Sequence, residues 1–157
     1  MNAALEVAGL RKSYGETEVL RGVDFSVAPG ECFGMLGPNG AGKTTTVKMM
    51  TGLIRPTSGR ISILGRPLGD KEARRRVGFL PEQFQFHEWL RADEFLDFHG
   101  SLYGMSKDER RARIPEVLEL VGLSGRVSSR LDTFSKGMLQ RIGLAQALLA
   151  DPHLVFL

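Results

Sequence analysis

Gly37, Gly42, Lys43 and Thr44 stand at the spacing G-x-x-x-x-G-K-[ST] inside GPNGAGKTT, residues 37–45. Glycines at such positions let successive backbone N–H groups turn inward around phosphate oxygens, and a helix opening at the lysine aims the positive end of its dipole at the same place. Lys43 has the reach to meet β- and γ-phosphates, and the Thr44 hydroxyl is a ligand for Mg2+. The chemistry this predicts is the binding of a nucleoside triphosphate. By itself the motif leaves kinases, small GTPases, helicases and transport ATPases open, with a plain glycine turn joining strand to helix as the bland alternative.

A phosphate loop needs a strand before it and a helix after it. CFGMLG at 32–37 reads as that strand, delivered by an APGE turn from the β-prone runs LEVAGL and TEVLRGVDFSV. The helix after the loop should place Val47, Met50 and Ile54 on its inward face. RPTSG then breaks the chain, and RISILG and RVGFLPEQ read as further strands. From Glu88 to Val121 the period becomes helical, with Phe95, Phe98, His99 and Leu102 on one apolar stripe and Ile114, Val117, Leu118 and Val121 on another. Pro115 should begin or kink the second of these helices. Met138, Ile142, Ala145 and Leu149 mark a last helix, closed by Pro152 and followed by the apolar run HLVFL. The order predicts an α/β core with an inserted helical subdomain.

Composition is that of a soluble globular chain: 42% hydrophobic, 25% charged, net charge +3 over 157 residues. The basic runs at 74–76 and 110–113 read as solvated faces rather than a nucleic-acid surface. Cys32 is the one cysteine, which excludes an internal disulfide and a cysteine-based zinc site and fits a reducing compartment. His87, His99 and His153 have no ligand-like spacing, so no metal is assigned to them. Neither a signal peptide nor an apolar run near the ~18 residues of a spanning helix is visible, so any membrane must be crossed by another chain.

The PNGA within the loop and the trailing TT resemble the Walker A motif of ATP-binding cassette (ABC) proteins, and three other stretches fall where that family places its parts. Tyr14, in SYG, matches the aromatic residue that stacks on adenine; a structural tyrosine at a strand end is the alternative. Gln83, in LPEQ, resembles the Q-loop glutamine that senses Mg2+ and the γ-phosphate at a hinge before the helical subdomain. FSKGMLQR resembles the signature LSGGQxQR, matched by Ser135, Gly137, Gln140 and Arg141, whereas Phe134, Lys136 and Met138 depart from it. The resemblance spans the whole chain. It implies an α/β P-loop NTPase (RecA-like) core with an N-terminal antiparallel β subdomain and an inserted helical subdomain, incomplete at the C-terminus. The parts would be 1–87 (β subdomain and core), 88–135 (helical subdomain) and 136–157 (signature helix and start of the Walker B strand).

The implied cofactors are ATP and Mg2+. The implied nucleotide-binding set is Tyr14 with Gly37, Pro38, Asn39, Gly40, Ala41, Gly42, Lys43, Thr44 and Thr45; Thr44 and Gln83 serve Mg2+, and Ser135, Lys136 and Gly137 reach the nucleotide of a second subunit. Lys136 either points away from that nucleotide or adds charge beside it. Among the aromatic residues Phe84, Phe86, Trp89, Phe95 and Phe98, core packing is the expected role, and Phe84 to Trp89 is the candidate docking surface for a membrane permease. The family's Walker B carboxylates follow a strand of the HLVFL kind and are expected to be missing here, together with the switch histidine. The sequence therefore reads as an N-terminal fragment, hydrolytically inactive and prone to aggregate, of an ATP-hydrolysing subunit. That parent would dimerise head to tail and serve an ABC-2-type exporter at the inner face of the cell membrane, with no direct nucleic-acid contact. A non-transport ABC ATPase acting on DNA or ribosomes and a nucleotide-binding module without turnover are the other two readings.

Overall fold

The computed structural model describes residues 3–82 and 87–157. They divide into two compact units, Met1–Arg74 and Arg75–Leu157.

The first unit is built on an antiparallel sheet. Strand β1 (Leu5–Tyr14) turns through Gly15 and Glu16 into β2 (Thr17–Val27). Helix α1 (Lys43–Met50) follows, then β3 (Ser58–Ile63) and the short β4 (Arg66–Pro67), giving the order β2-β1-β3-β4. Leu5 faces Val27 on one side and Ile63 on the other, and Val7 faces Ile61, so alternate residues line one buried face. α1 buries Thr46, Met49 and Met50. Val47, expected inward, is only half-buried, and Ile54 lies beyond the helix end, because Thr51 and Gly52 close the last turn onto Val47 and Met49. CFGMLG is not hydrogen-bonded into a sheet, contrary to expectation. Phe33 stacks on Phe25 at 4.9 Å, but Leu36 is 96% exposed. An extended run becomes a strand only when a neighbour supplies its hydrogen bonds and covers its faces.

The short helix α2 (Lys71–Arg75) spans the division between the units. In the second unit, β5 (Val77–Phe79) pairs in parallel with β6 (Leu154–Phe156), and the whole helical segment forms the crossover that a parallel pair requires. Helix α3 (Ala92–Leu102), α4 (Lys107–Leu120) and α5 (Lys136–Leu148) enclose a core that includes Phe95, Leu96, Val117, Leu118, Leu131 and Ile142. Of the stripe expected on α3, Phe95 is buried and His99 half-buried, whereas Phe98 and Leu102 face out, and Leu96 is buried instead. The core contact runs along the 92-95-96-99 side. α4 starts at Ser106, whose Oγ accepts from Glu109 N at 3.2 Å while Ser106 N donates to Glu109 Oε2 at 2.6 Å. This reciprocal cap fixes the start, so Pro115 lies inside α4 rather than opening it.

Candidate functional site

The loop at 37–45 turns into α1 beside Leu20 of β2. Gly42 caps α1 in the left-handed region at φ 84°, and a Cβ there would stand 2.9 Å from Leu20 Cδ1 of β2. Both backbone conformation and space therefore require glycine. Gly42 O accepts from Thr46 N at 2.8 Å and from Thr46 Oγ1 at 2.9 Å, which anchors the first turn of α1 from inside. Ala41 N donates to Pro38 O at 3.2 Å, closing the turn over Asn39 and Gly40. At Lys43, Thr44 and Thr45 the amides precede the point where intrahelical bonding begins, so they are donors without helical acceptors. Lys43 Nζ donates to Gly37 O at 2.6 Å and Pro38 O at 2.8 Å. Among the described residues no carboxylate pairs with it, so its charge sits over the loop against neutral carbonyls only. Thr44 is exposed and Thr45 half-buried.

Tyr14 ends β1 with 52% of its surface exposed. Lys12 Nζ lies 4.8 Å from its ring centroid while donating to Arg55 O at 2.8 Å, so one ring face already carries a cation.

In the second unit, Ser135 caps α5, its Oγ accepting from Met138 N at 3.3 Å. Lys136 and Gly137 open the helix, both exposed, and a Cβ at Gly137 would meet nothing within 4 Å. The Lys136 side chain is thus solvated at the positive end of a helix. Phe134, the departure just before the cap, is buried in the helical core and pins this end of α5 from below. Gln140 is exposed, and Arg141 donates to the end of α4. The sequence reading missed Gln146, buried on α5, whose Nε2 donates to Tyr103 Oη. Its polar amide on an otherwise apolar stripe was the available signal. Burial raises the Tyr103 phenol above its ordinary pKa, offset in part by that bond.

Gln83, Phe84 and Phe86 lie outside the described residues. Core packing holds for Phe95 but not for Trp89, which is 67% exposed, nor for the exposed Phe98. His87 bridges these two, its ring 5.0 Å from Trp89 and 6.1 Å from Phe98. Among the described residues no group of three or more His, Cys, Asp or Glu could hold a metal ion, and no helix is long and apolar enough to cross a membrane. The phosphate loop and the Ser135 cap belong to different units.

A family model described as ABC transporter matches residues 20–157. An uncharacterised ABC transporter ATP-binding protein of Synechocystis is 49% identical over 144 residues, covering 90% of this chain and 41% of its own length. The Nod factor export ATP-binding protein I of Paraburkholderia xenovorans is 42% identical over 157 residues, covering 99% of this chain and 52% of its own length. A solved structure described as the ATP binding subunit of an ABC transporter superposes with a TM-score of 0.85 at 39% identity, over 97% of this chain and 64% of that one. The chain spans about half the length of the relatives it matches. The fold is α/β, of the P-loop NTPase kind with an antiparallel β subdomain.

Proposed function

The chain belongs to the ABC transporter family, and from that premise we propose that it is the ATP-binding portion of a transporter subunit. The intact subunit couples ATP hydrolysis to solute movement by a separate membrane permease. The observation that carries this is the loop at 37–45: a Gly42 backed against Leu20, open amides at the start of α1, and a lysine facing only carbonyls. That donor set fits a triphosphate.

The amides from Gly40 to Thr45 would hold phosphate oxygens, with Gly37, Pro38, Asn39 and Ala41 shaping the turn that presents them. Lys43 would exchange its two carbonyl acceptors for β- and γ-phosphate oxygens, a trade of neutral for charge-assisted hydrogen bonds. Thr44, with Gln83, would hold Mg2+, which when bound neutralises charge on those oxygens. Tyr14 would stack on adenine by the ring face that Lys12 leaves open. Ser135, Lys136 and Gly137 would meet the γ-phosphate of a second, head-to-tail subunit. In this reading 1–87 forms the β subdomain and core, 88–135 the helical subdomain, and 136–157 the signature helix and following strand.

The exposed Trp89, Phe98 and Leu102 support docking of the permease on the adjoining face, which would hold the subunit at the inner surface of the cell membrane. Export is favoured by the Nod factor relative. No direct nucleic-acid contact is part of the reading.

The Asp-Glu pairs at 93–94 and 108–109 both open helices instead of following a strand. The 157-residue chain by itself should therefore bind ATP without turning it over. Titration with a fluorescent ATP analogue tests the first part: Lys43→Ala should weaken binding by at least about tenfold, or ~1.4 kcal/mol. Equal affinity in the variant would remove the assignment. Phosphate release by the chain that Lys43→Ala abolishes would overturn the second part.

A further inference from the structure

The end of α4 is a Schellman arrangement. Leu123 N donates to Leu118 O at 2.7 Å, Gly122 N donates to Glu119 O at 2.9 Å, Gly122 sits at φ 68°, and Leu123 is buried in the helical core. This motif leaves the next carbonyls outward without backbone donors, at the negative end of the helix dipole. Arg141 of α5 fills that gap: its Nη1 donates to Val121 O and to Gly122 O, each at 3.2 Å. A Cβ at Gly122 would stand 3.3 Å from the same nitrogen, so the glycine that permits the turn also makes room for the guanidinium.

Arg141 stands about 9 Å along α5 from Ser135, less than two turns. The next residue, Ile142, is fully buried. A buried residue fixes how deep a helix packs, whereas a side chain held by two backbone carbonyls of a neighbouring helix also fixes its rotation and its height along the axis. Phe134 below and Arg141 to the side thus bracket the turn that carries Ser135, Lys136 and Gly137.

We propose that Arg141 is a positioning residue: its guanidinium on the C-terminal carbonyls of α4 sets the placement of the Ser135–Gly137 turn toward the nucleotide of the second subunit. The proposal rests on the two-subunit reading of that turn. Arg141 touches no nucleotide in it, and acts through Ser135.

The test uses the 157-residue chain with Arg141→Ala, Arg141→Lys, Ser135→Ala, the Arg141→Ala/Ser135→Ala double variant, and Ile142→Val as a control matched for loss of thermal midpoint. Hydrogen exchange should quicken at residues 136–139 in Arg141→Ala and not in the control. Mg-ATP-dependent self-association, followed by sedimentation, should weaken about tenfold in Arg141→Ala while affinity for a fluorescent ATP analogue stays within about twofold. The double variant should lose no more than the larger single loss, because both act at one contact. Arg141→Lys should recover part of the loss, since a lysine reaches the carbonyls without the planar fork, and it carries the test if Arg141→Ala does not fold.

Unchanged exchange, uniformly faster exchange, unchanged association or additive losses would each overturn the proposal. Absence of Mg-ATP-dependent association in the unsubstituted chain would instead sink the two-subunit reading, and the exchange arm would still decide whether Arg141 places the turn.

Discussion

Gly42 shows how a motif position becomes a physical requirement. The spacing alone demands a glycine there, but two separate reasons appear only in three dimensions: φ of 84° and Leu20 Cδ1 2.9 Å from where a Cβ would lie. Gly42→Ala adds left-handed strain of ~1–2 kcal/mol and displaces a buried leucine from under the loop. Binding of an ATP analogue should therefore fall by at least about tenfold, while the Lys43 charge remains in place. Titration beside a thermal melt checks this, and binding within error of the unsubstituted chain would contradict it. Phe134 is the converse case. As a departure from the signature it said nothing in sequence, and the fold places it in the helical core. Truncation to alanine should cost ~3–5 kcal/mol of the stability of the second unit, read from denaturant unfolding.

At the scale of elements, α4 was legible as a helix but not in its limits. Its start is written in Ser106 and Glu109, a capping box that the apolar period does not report, and Pro115 lies inside α4 with no N–H to donate to the carbonyl of Arg111. That start is pH-sensitive. Hydrogen bonds from the Ser106 backbone and side chain hold the Glu109 carboxyl below its ordinary 4.5. Its contribution is complete above 4.5 and is lost as pH falls through its lower folded value, where the folded carboxylate finally takes a proton. His99, half-buried beside Phe95 and Phe98, is held below its ordinary 6.5 first by burial and then by the charge of His87. The unfolded chain then takes up that proton first, so stability declines as pH falls below 6.5. Melts between about pH 8 and about pH 3 should show two losses. Glu109→Gln should shrink the lower one, to which the likewise lowered carboxyls of Asp70 and Asp93 also contribute, and His99→Leu should remove the upper one; a profile unchanged by either would refute the assignment.

The molecule as a whole is two compact units with different logic: an antiparallel sheet of two hairpins joined by the long-range pairing of β1 with β3, and a helical core built as the crossover of one parallel strand pair. Leu36 at 96%, Leu53 at 62% and Trp89 at 67% exposure leave apolar surface uncovered, a source of association. Leu36→Glu should raise the protein concentration at which light scattering begins while leaving the thermal midpoint nearly unchanged, since an exposed side chain contributes within about 0.5 kcal/mol. Association unaffected by the substitution would place its origin elsewhere.

By itself the sequence placed the glycine-rich loop, the Ser135 cap, the first hairpin and the helices α1, α3, α4 and α5. Each of these depends on glycine dihedrals, caps and periodicities that act over a few neighbouring residues. Only the tertiary structure decided that CFGMLG is no strand, that Phe98 and Leu102 face outward, and that Arg141 closes the end of α4. Strand formation, facing and helix-to-helix hydrogen bonds depend on partners far away in the chain, and no local pattern of residue types specifies where those partners will lie.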